Sequence, residues 1–153
     1  MVMKVYFTEA NPETDVDAIY AAGNVLKEHQ CVDERFIHAC LKRETKYPTG
    51  LALGGGKAIA MPHGGADFVQ QDSVSVLRTK APIAFGRMED ATQTVPVQLV
   101  FNLAISSGKN HLVMLRRLMQ LFQDENFLNE CMTLCPEKAA VYVGKCLEEA
   151  QDD

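Results

Sequence analysis

The sequence predicts a single α/β domain in which helices cover both faces of a central β-sheet. Helix-like segments flank a group of short strand-like segments at both ends of the 153-residue chain, as in layered α/β domains. The strongest strand candidate, residues 95–105, reads VPVQLVFNLAI and is apolar on both faces, which is typical of a strand covered from both sides. A chain of this length fits one domain, and we assign residues 1–153 to it.

The N-terminal third is predicted to contain one strand and two helices. Residues 1–7 are a candidate strand. The first helix is predicted to begin at Thr14, whose hydroxyl can cap free N–H groups, and the second to begin after Asp33 and end before Pro48. Apolar residues at helical spacing define their inner faces: Val16, Ile19, Tyr20, Gly23 and Leu26 in the first, and Phe36, Ile37, Cys40 and Leu41 in the second.

The middle of the chain is predicted to supply the remaining strands. Residues 58–61 indicate a short buried strand, and residues 83–85 indicate another short one. Residues 73–77 alternate polar and apolar side chains, which predicts a half-exposed strand. The long strand over residues 95–105 is expected to end at the Ser-Ser-Gly sequence of residues 106–108.

Three further helices are predicted in the C-terminal third. They cover residues 111–122, 125–134 and 136–149, and the last has Pro136 in its first turn, where proline is tolerated. The amphipathic pattern of residues 111–122 predicts an inner face formed by Leu112, Leu115, Leu118, Met119 and Phe122.

Composition excludes several classes of protein. The formal net charge of -5 argues against broad nucleic-acid binding, which depends on clustered Lys and Arg. Five cysteines, an odd number without C-x-x-C spacing, and the lack of a visible signal peptide predict a cytoplasmic protein with reduced thiols. No apolar run is long enough to predict a membrane span.

The glycine-rich sequence GGGKAIAMPHGG, residues 54–65, fails the test for a nucleotide-binding P-loop. Ala58 follows Gly56-Lys57, although a P-loop needs a Ser or Thr there to ligate magnesium. Leu51 occupies the position of the first P-loop glycine, and a strand rather than a helix is predicted to follow. The glycine run therefore predicts a pliable turn.

Among the four histidines, His63 has the sequence context best suited to chemistry. Pro62 fixes the backbone before it and two glycines leave space after it, so the ring can stand where another molecule approaches. Such a histidine can act as a base, a ligand or a nucleophile, and the alternative is a histidine that caps a loop. We interpret His29 as solvated, His38 as partly buried and structural, and His111 as a surface residue at a helix start.

Metal binding and hydrolysis are less well supported alternatives. His63 and His111 are far apart in sequence, and no third ligand completes a recognisable metal-binding motif. A G-x-S-x-G nucleophile motif is absent from the sequence, which argues against a Ser-His-Asp hydrolase.

Four short motifs occur in an order that resembles a known family. They are Arg43-Glu44, then PTGL at residues 48–51, then AIAMPH at residues 58–63, then Asn110-His111-Leu112 with further leucines at helical spacing. This series resembles the fructose/mannitol-type enzyme IIA family of the bacterial sugar phosphotransferase system. The sequence LALGGGK after the T-G turn makes the chain most similar to the galactitol-type branch.

The resemblance implies the mannitol-type enzyme IIA fold, with a mixed sheet, and the function of a phosphocarrier. By this resemblance, His63 accepts a phosphoryl group at Nε2 from the histidine-containing phosphocarrier protein and passes it to a cysteine of a galactitol-type enzyme IIB. Enzyme IIB then serves the membrane enzyme IIC. His111 matches the supporting histidine, and Arg43 matches an arginine that stabilises phosphoryl charge.

Neither a metal nor another cofactor is expected, because both partners carry the phosphoryl group on protein side chains. We also expect an apolar ring of Ile59, Met61 and Phe85 around His63 to contact both partners, with core packing as the alternative for all three. The second hypothesis for the whole chain is a regulatory domain of the same fold, which signals by phosphorylation of His63 without serving a sugar permease.

Overall fold

The computed structural model describes residues 3–106 and 108–149, and it has the predicted α/β architecture. Its strands are β1 (Lys4–Glu9), β2 (Leu51–Ala52), β3 (Ala58–Ala60), β4 (Ser73–Gly86) and β5 (Thr94–Ala104). Its helices are α1 (Asp15–Glu28), α2 (Glu34–Lys46), α3 (Lys109–Leu121), α4 (Glu125–Thr133) and α5 (Pro136–Glu149). Parts of two predicted features, residues 1–2 of the first strand and residue 107 of the break after the long strand, lie outside the described residues.

The five strands form one mixed sheet in the order β1-β4-β5-β3-β2. β1 pairs in parallel with β4, β4 pairs antiparallel with β5, and β5 pairs in parallel with β3. The two-residue strand β2 pairs antiparallel with β3 at the edge. The mixed sheet that the resemblance implied is therefore confirmed.

Helices pack on both faces of the sheet and create two apolar cores. α1 and α2 cover one face, and α3, α4 and α5 cover the other. Val100 and Phe101, neighbours in β5, belong to opposite cores and are both fully buried. The apolar run over residues 99–104 of β5 follows from this position, since neither face of this part of the strand meets water.

The predicted helix starts are confirmed by their caps. The Thr14 side chain accepts a hydrogen bond from the Asp17 N–H at 3.1 Å, and the Asp33 carboxylate accepts one from the Arg35 N–H at 2.9 Å. Helix α2 ends at Lys46, before Pro48. The expected inward position of Val16 is wrong: the residue is 46% exposed, because it lies in the first turn at the edge of the buried face.

The strand predictions need two corrections. Residues 73–77 and 83–85 are parts of one strand, β4, with an irregularity between Arg78 and Ile83. All of residues 73–77 are buried, so the predicted half-exposed face is wrong. The alternation separates two covered faces: Val74 and Val76 point into one core, whereas the serines lie on the side of Leu77, against which α1 packs.

Helix α3 also differs from its prediction in orientation. Leu118 and Phe122 are buried as predicted, but Leu112 is 64% exposed and Met114 takes the inner position instead. Residues two apart on a helix point in nearly opposite directions, so burying Met114 turns Leu112 outward. None of the helices in the described part of the chain has the length and hydropathy needed to cross a bilayer.

Candidate active site

His63 lies just beyond β3, in a segment that is fastened to the long strand β5. The Pro62 carbonyl accepts hydrogen bonds from the Leu103 N–H at 3.0 Å and from the Asn102 side-chain amide at 3.0 Å. His63 itself forms an isolated parallel bridge with Leu103. The backbone that carries the ring is therefore held by the buried C-terminal part of β5, residues 99–104, as a preorganised site requires.

The His63 ring is fixed in one tautomer by its own chain. Its Nδ1 lies 2.7 Å from the Met61 carbonyl oxygen, and because a carbonyl only accepts hydrogen bonds, Nδ1 carries the proton. Burial lowers the pKa of His63, the bond to Met61 opposes this effect, and the charge of Arg43 adds to the lowering. The ring is thus neutral at neutral pH, with the free electron pair on Nε2.

The structure brings the rings of His111 and His63 close together. The two ring centroids are 6.1 Å apart and the rings are tilted by 56°. His111 is in the first turn of α3, after Gly108, whose φ of 115° allows the chain to turn into the helix. Within the described residues its Nδ1 is buried without a hydrogen-bond partner. The hydrogen-bonding capacity of this nitrogen is therefore unused in the structure.

Arg43 approaches the same site from the last turn of α2. A Cβ placed on Gly64 would lie 3.4 Å from Arg43 Cδ, so the arginine stem runs beside the residue that follows His63. The Arg43 guanidinium lies over the Tyr47 ring, 5.3 Å from its centroid. Arg43, Lys42 and Lys46 line a shallow groove that ends at the glycine pair. The groove is cationic although the chain is acidic overall.

The two glycines after His63 are required by their conformation and by the space they leave. Gly64 has φ 139° and Gly65 has φ 60°, both in the region that side chains other than hydrogen disfavour. A Cβ on Gly65 would lie 2.9 Å from Ala39 Cβ. By contrast, residues Gly54–Gly56 form an exposed turn at the opposite end of β3 and take no part in this site.

Sequence reasoning missed three buried polar residues that support the site. Glu44 and Thr49 form a hydrogen-bonded pair beneath Met61, and Asn102 holds Pro62. Burial raises the pKa of Glu44 to about 6, although its bonds to Thr49 oppose the rise. The available signal was polarity: Asn102 is an amide within the otherwise apolar residues 99–104 of β5, and a buried amide needs a hydrogen-bond partner.

The family model for the phosphoenolpyruvate-dependent sugar phosphotransferase system, EIIA 2, matches residues 3–143 of the chain. The chain belongs to this family. The resemblance that rested on four short motifs is thereby confirmed over nearly the whole chain. As an EIIA 2 protein, it is a phosphotransferase component of the sugar phosphotransferase system, a class whose members carry phosphohistidine.

Individual relatives agree with this assignment. The chain is 26% identical over 130 residues to the galactitol-specific EIIA component of Escherichia coli K12, which is 85% of each chain. Its fold matches that of a candidate IIA protein, PtxA, of Streptococcus mutans with a TM-score of 0.74 at 20% identity, covering 98% of this chain and 90% of the other. It also matches the Escherichia coli complex of IIA for mannitol with phosphorylated IIB, with a TM-score of 0.70 at 24% identity and 94% coverage of each chain.

Two sequence expectations about the surroundings of the EIIA site are wrong. Ile59, Met61 and Phe85 are buried in the cores, so they form no surface ring around His63. The large apolar side chains that are exposed near His63 belong to the end of α2 and to α3, and they are Tyr47, Leu112 and Val113. His38 is also exposed instead of partly buried, because it lies on the outer face of α2 near Glu34.

The structure also bears on His29 and on the alternative of a metal site. His29 is exposed, as predicted, and its ring stacks on Tyr6 with 4.1 Å between centroids. Across residues 3–106 and 108–149, no group of three or more His, Cys, Asp and Glu residues is arranged to hold a metal ion.

Proposed function

We propose that this EIIA protein is a phosphohistidine relay centred on His63. It accepts a phosphoryl group from the histidine-containing phosphocarrier protein and passes it to a cysteine of a galactitol-type enzyme IIB, which serves the membrane enzyme IIC. The observation that carries the proposal is the bond between His63 Nδ1 and the Met61 carbonyl, since it leaves the nucleophilic pair on Nε2. The neutral ring needs no general base to make that pair available.

The transfer into the site is a substitution at phosphorus. The Nε2 electron pair forms the new N–P bond while the N–P bond to the donor histidine breaks, and the donor nitrogen keeps that electron pair. The His63 ring thereby gains positive charge, which the Met61 carbonyl stabilises by accepting the Nδ1 hydrogen bond. Transfer onward reverses the roles: the IIB thiolate forms an S–P bond, and Nε2 recovers its electron pair.

Arg43 and His111 are proposed to stabilise the phosphoryl oxygens during both steps. Phosphoryl transfer depends mainly on positioning and on compensation of negative charge, and Arg offers a planar fork of donors to such oxygens. The 6.1 Å separation of the His111 and His63 ring centroids supports a contact between His111 and the transferred group. Lys42 and Lys46 extend the positive potential along the groove by which the charged group approaches.

Several wider features of the protein belong to the same proposal. We assign the whole chain, residues 1–153, to one EIIA domain, of which the family model covers residues 3–143. We place the protein in the cytoplasm, in keeping with its odd number of cysteines, five, without C-x-x-C spacing. The galactitol-specific relative supports the IIB type, and the mannitol IIA complex with phosphorylated IIB supports the kind of partner. The proposal calls for no metal or other cofactor.

Intact-mass spectrometry tests this relay directly. The protein is mixed with phosphoenolpyruvate, enzyme I and the phosphocarrier protein, beside its His63→Ala and His111→Ala variants and the exposed-histidine control His29→Ala. We expect one acid-labile phosphoryl addition that is abolished in His63→Ala, reduced in His111→Ala and unchanged in His29→Ala. A native protein that gains no phosphoryl group would refute the relay.

The partner is identified in a second step. Phosphorylated protein is mixed with purified galactitol-type IIB or with the IIB domain of another sugar class, and transfer is followed by the mass of each chain. We expect rapid loss of the phosphoryl group only with the galactitol-type IIB. Retention of the group with every IIB would instead favour the regulatory function.

A further inference from the structure

Met61, which precedes the Pro62-His63 pair, is held by hydrogen bonds on both sides of its backbone. Its carbonyl accepts the Nδ1–H of His63 at 2.7 Å, and its N–H donates to Thr49 Oγ1 at 3.1 Å. The side chain itself is buried in the core. The position of the carbonyl that orients the His63 ring therefore depends on the partner of the Met61 N–H.

Thr49 is in turn held by Glu44. The Thr49 hydroxyl donates to Glu44 Oε1 at 2.9 Å, and the Thr49 N–H donates to Glu44 Oε2 at 2.7 Å. The hydroxyl has one proton, and since Glu44 accepts it, the lone pairs of the oxygen face the Met61 N–H. Thr49 is 2% exposed and Glu44 is 7% exposed, so water cannot easily replace either partner.

We propose that Glu44 and Thr49 form a clamp that positions His63 for phosphoryl transfer. The clamp fixes Met61, its carbonyl selects the Nδ1–H tautomer, and Nε2 is left unprotonated and aimed at the incoming phosphorus. Glu44 and Thr49 touch neither the phosphoryl group nor a partner in this proposal; both act through Met61. This inference rests on the relay function proposed above.

The geometry explains why a glutamate is used at a buried position. A carboxylate accepts at both oxygens, so it satisfies the amide and the hydroxyl of Thr49 together, whereas a glutamine would present a donor to one of them. A threonine is used because its hydroxyl both donates and accepts, which valine, its apolar isostere, cannot do. Loss of either partner leaves a buried polar group unpaired and frees Met61 to shift.

The test compares Thr49→Val, Thr49→Ser and Thr45→Val with the native protein. Thr45 lies on the exposed side of α2 and donates only to the Lys42 carbonyl, so its loss removes a similar hydroxyl away from the clamp. Two quantities are measured on folded protein: the rate of His63 phosphorylation by the phosphocarrier protein, and the His63 tautomer from the ¹⁵N shifts of its ring. A purely structural role would change the melting temperature without changing the tautomer.

We expect Thr49→Val to lower the phosphorylation rate about tenfold, because misplacement of a reacting group by a fraction of an ångström has costs of this order. Its ring should show a substantial Nε2–H population that the native protein lacks. Thr49→Ser should restore both quantities, and Thr45→Val should match the native protein. If Thr49→Val does not fold, Glu44→Gln provides the same comparison with conserved volume.

The results separate this proposal from the relay itself. A native rate and a native tautomer in Thr49→Val would overturn the clamp, and so would a shifted tautomer with a native rate. A native protein that is never phosphorylated would overturn the relay and, with it, any role of the clamp in transfer. In that case the ¹⁵N shifts alone would decide whether Thr49 still orients the ring.

Discussion

The buried carboxyl of Glu44 leads to a prediction about stability and pH. Burial raises the pKa of Glu44 from 4.5 to about 6, and this exceeds the opposing effect of its bonds to Thr49. Asp15 adds to the rise, and Arg43 acts against it. The folded state therefore binds the proton more tightly than the unfolded chain does. Glu44→Gln removes this titration while conserving the volume of the side chain.

The sign and size of the effect follow from proton linkage. A group with a raised pKa in the folded state stabilises that state at low pH, and the contribution is lost as the carboxyl ionises. Each pH unit between the unfolded and folded pKa values is worth about 1.4 kcal/mol. The difference in unfolding free energy, native minus Glu44→Gln, should therefore fall by about 2 kcal/mol between pH 4 and pH 7.

Urea unfolding followed by circular dichroism measures this difference directly. Both proteins are unfolded at half-unit steps from pH 4 to pH 7.5, beside Glu13→Gln as a control at an exposed glutamate. Glu13→Gln keeps the Glu44–Thr49 pair and therefore the native titration of His63, so it shows how much pH dependence the loss of an exposed carboxylate alone produces. A difference that stays constant or rises with pH would show that the Thr49 bonds match or outweigh the effect of burial on the Glu44 pKa, and the reasoning would be refuted.

Three further predictions concern other parts of the structure. Gly65→Ala should destabilise the protein by about 1–3 kcal/mol in thermal unfolding, because φ of residue 65 is 60° and the new Cβ would lie 2.9 Å from Ala39 Cβ. Gly54→Ala is the control, and it should have little effect because the space around Gly54 is open. Thr14→Ala should cost about 1 kcal/mol in urea unfolding, because the cap of α1 is lost. Replacing Lys42 and Lys46 together by Gln should slow phosphorylation by the phosphocarrier protein severalfold at low salt, because the groove loses two positive charges. The rate should also depend less on ionic strength, which is measured by quenching the reaction at timed intervals at several salt concentrations.

Each of these expectations can be contradicted by a simple result. Equal melting temperatures for Gly65→Ala and Gly54→Ala would mean that the loop after His63 adapts without strain. An unchanged midpoint for Thr14→Ala would mean that water caps α1 as well as the hydroxyl does. If the phosphorylation rate of the double lysine variant depends on salt as the native rate does, the charged group does not approach along the groove that Lys42 and Lys46 line.

Local signals in the sequence were sufficient for much of the fold. Thr14, Asp33 and Pro136 mark helix starts by the chemistry of their own side chains or backbone, and each prediction is confirmed. Burial of whole faces is not a local property. The alternation in residues 73–77 predicts two faces, but the packing of α1 decides that the serine face is covered. Likewise, Leu112 points outward because Met114, and not Leu112, is the residue of α3 that packs into the core.

The candidate site was predicted unevenly for a similar reason. His63, His111 and Arg43 were assigned through motif order, and the structure brings the two histidine rings within 6.1 Å. Glu44 and Thr49 stood in the same motifs, yet their mutual bonds depend on how the end of α2 and the turn after it meet β3. A sequence shows which polar residues occur, whereas the partners of buried ones are decided by tertiary structure.

The partial burial of His63 has a consequence for the reactivity of its ring at acidic pH. A free imidazole with a pKa near 6.5 would be about three-quarters protonated at pH 6, and its nucleophilic electron pair would be lost to the proton. Because burial lowers the pKa of His63, a larger share of the protein keeps that pair at the same pH. Under the relay proposed above, we therefore expect phosphorylation of His63 to continue at acidic pH values that would largely inactivate an exposed histidine.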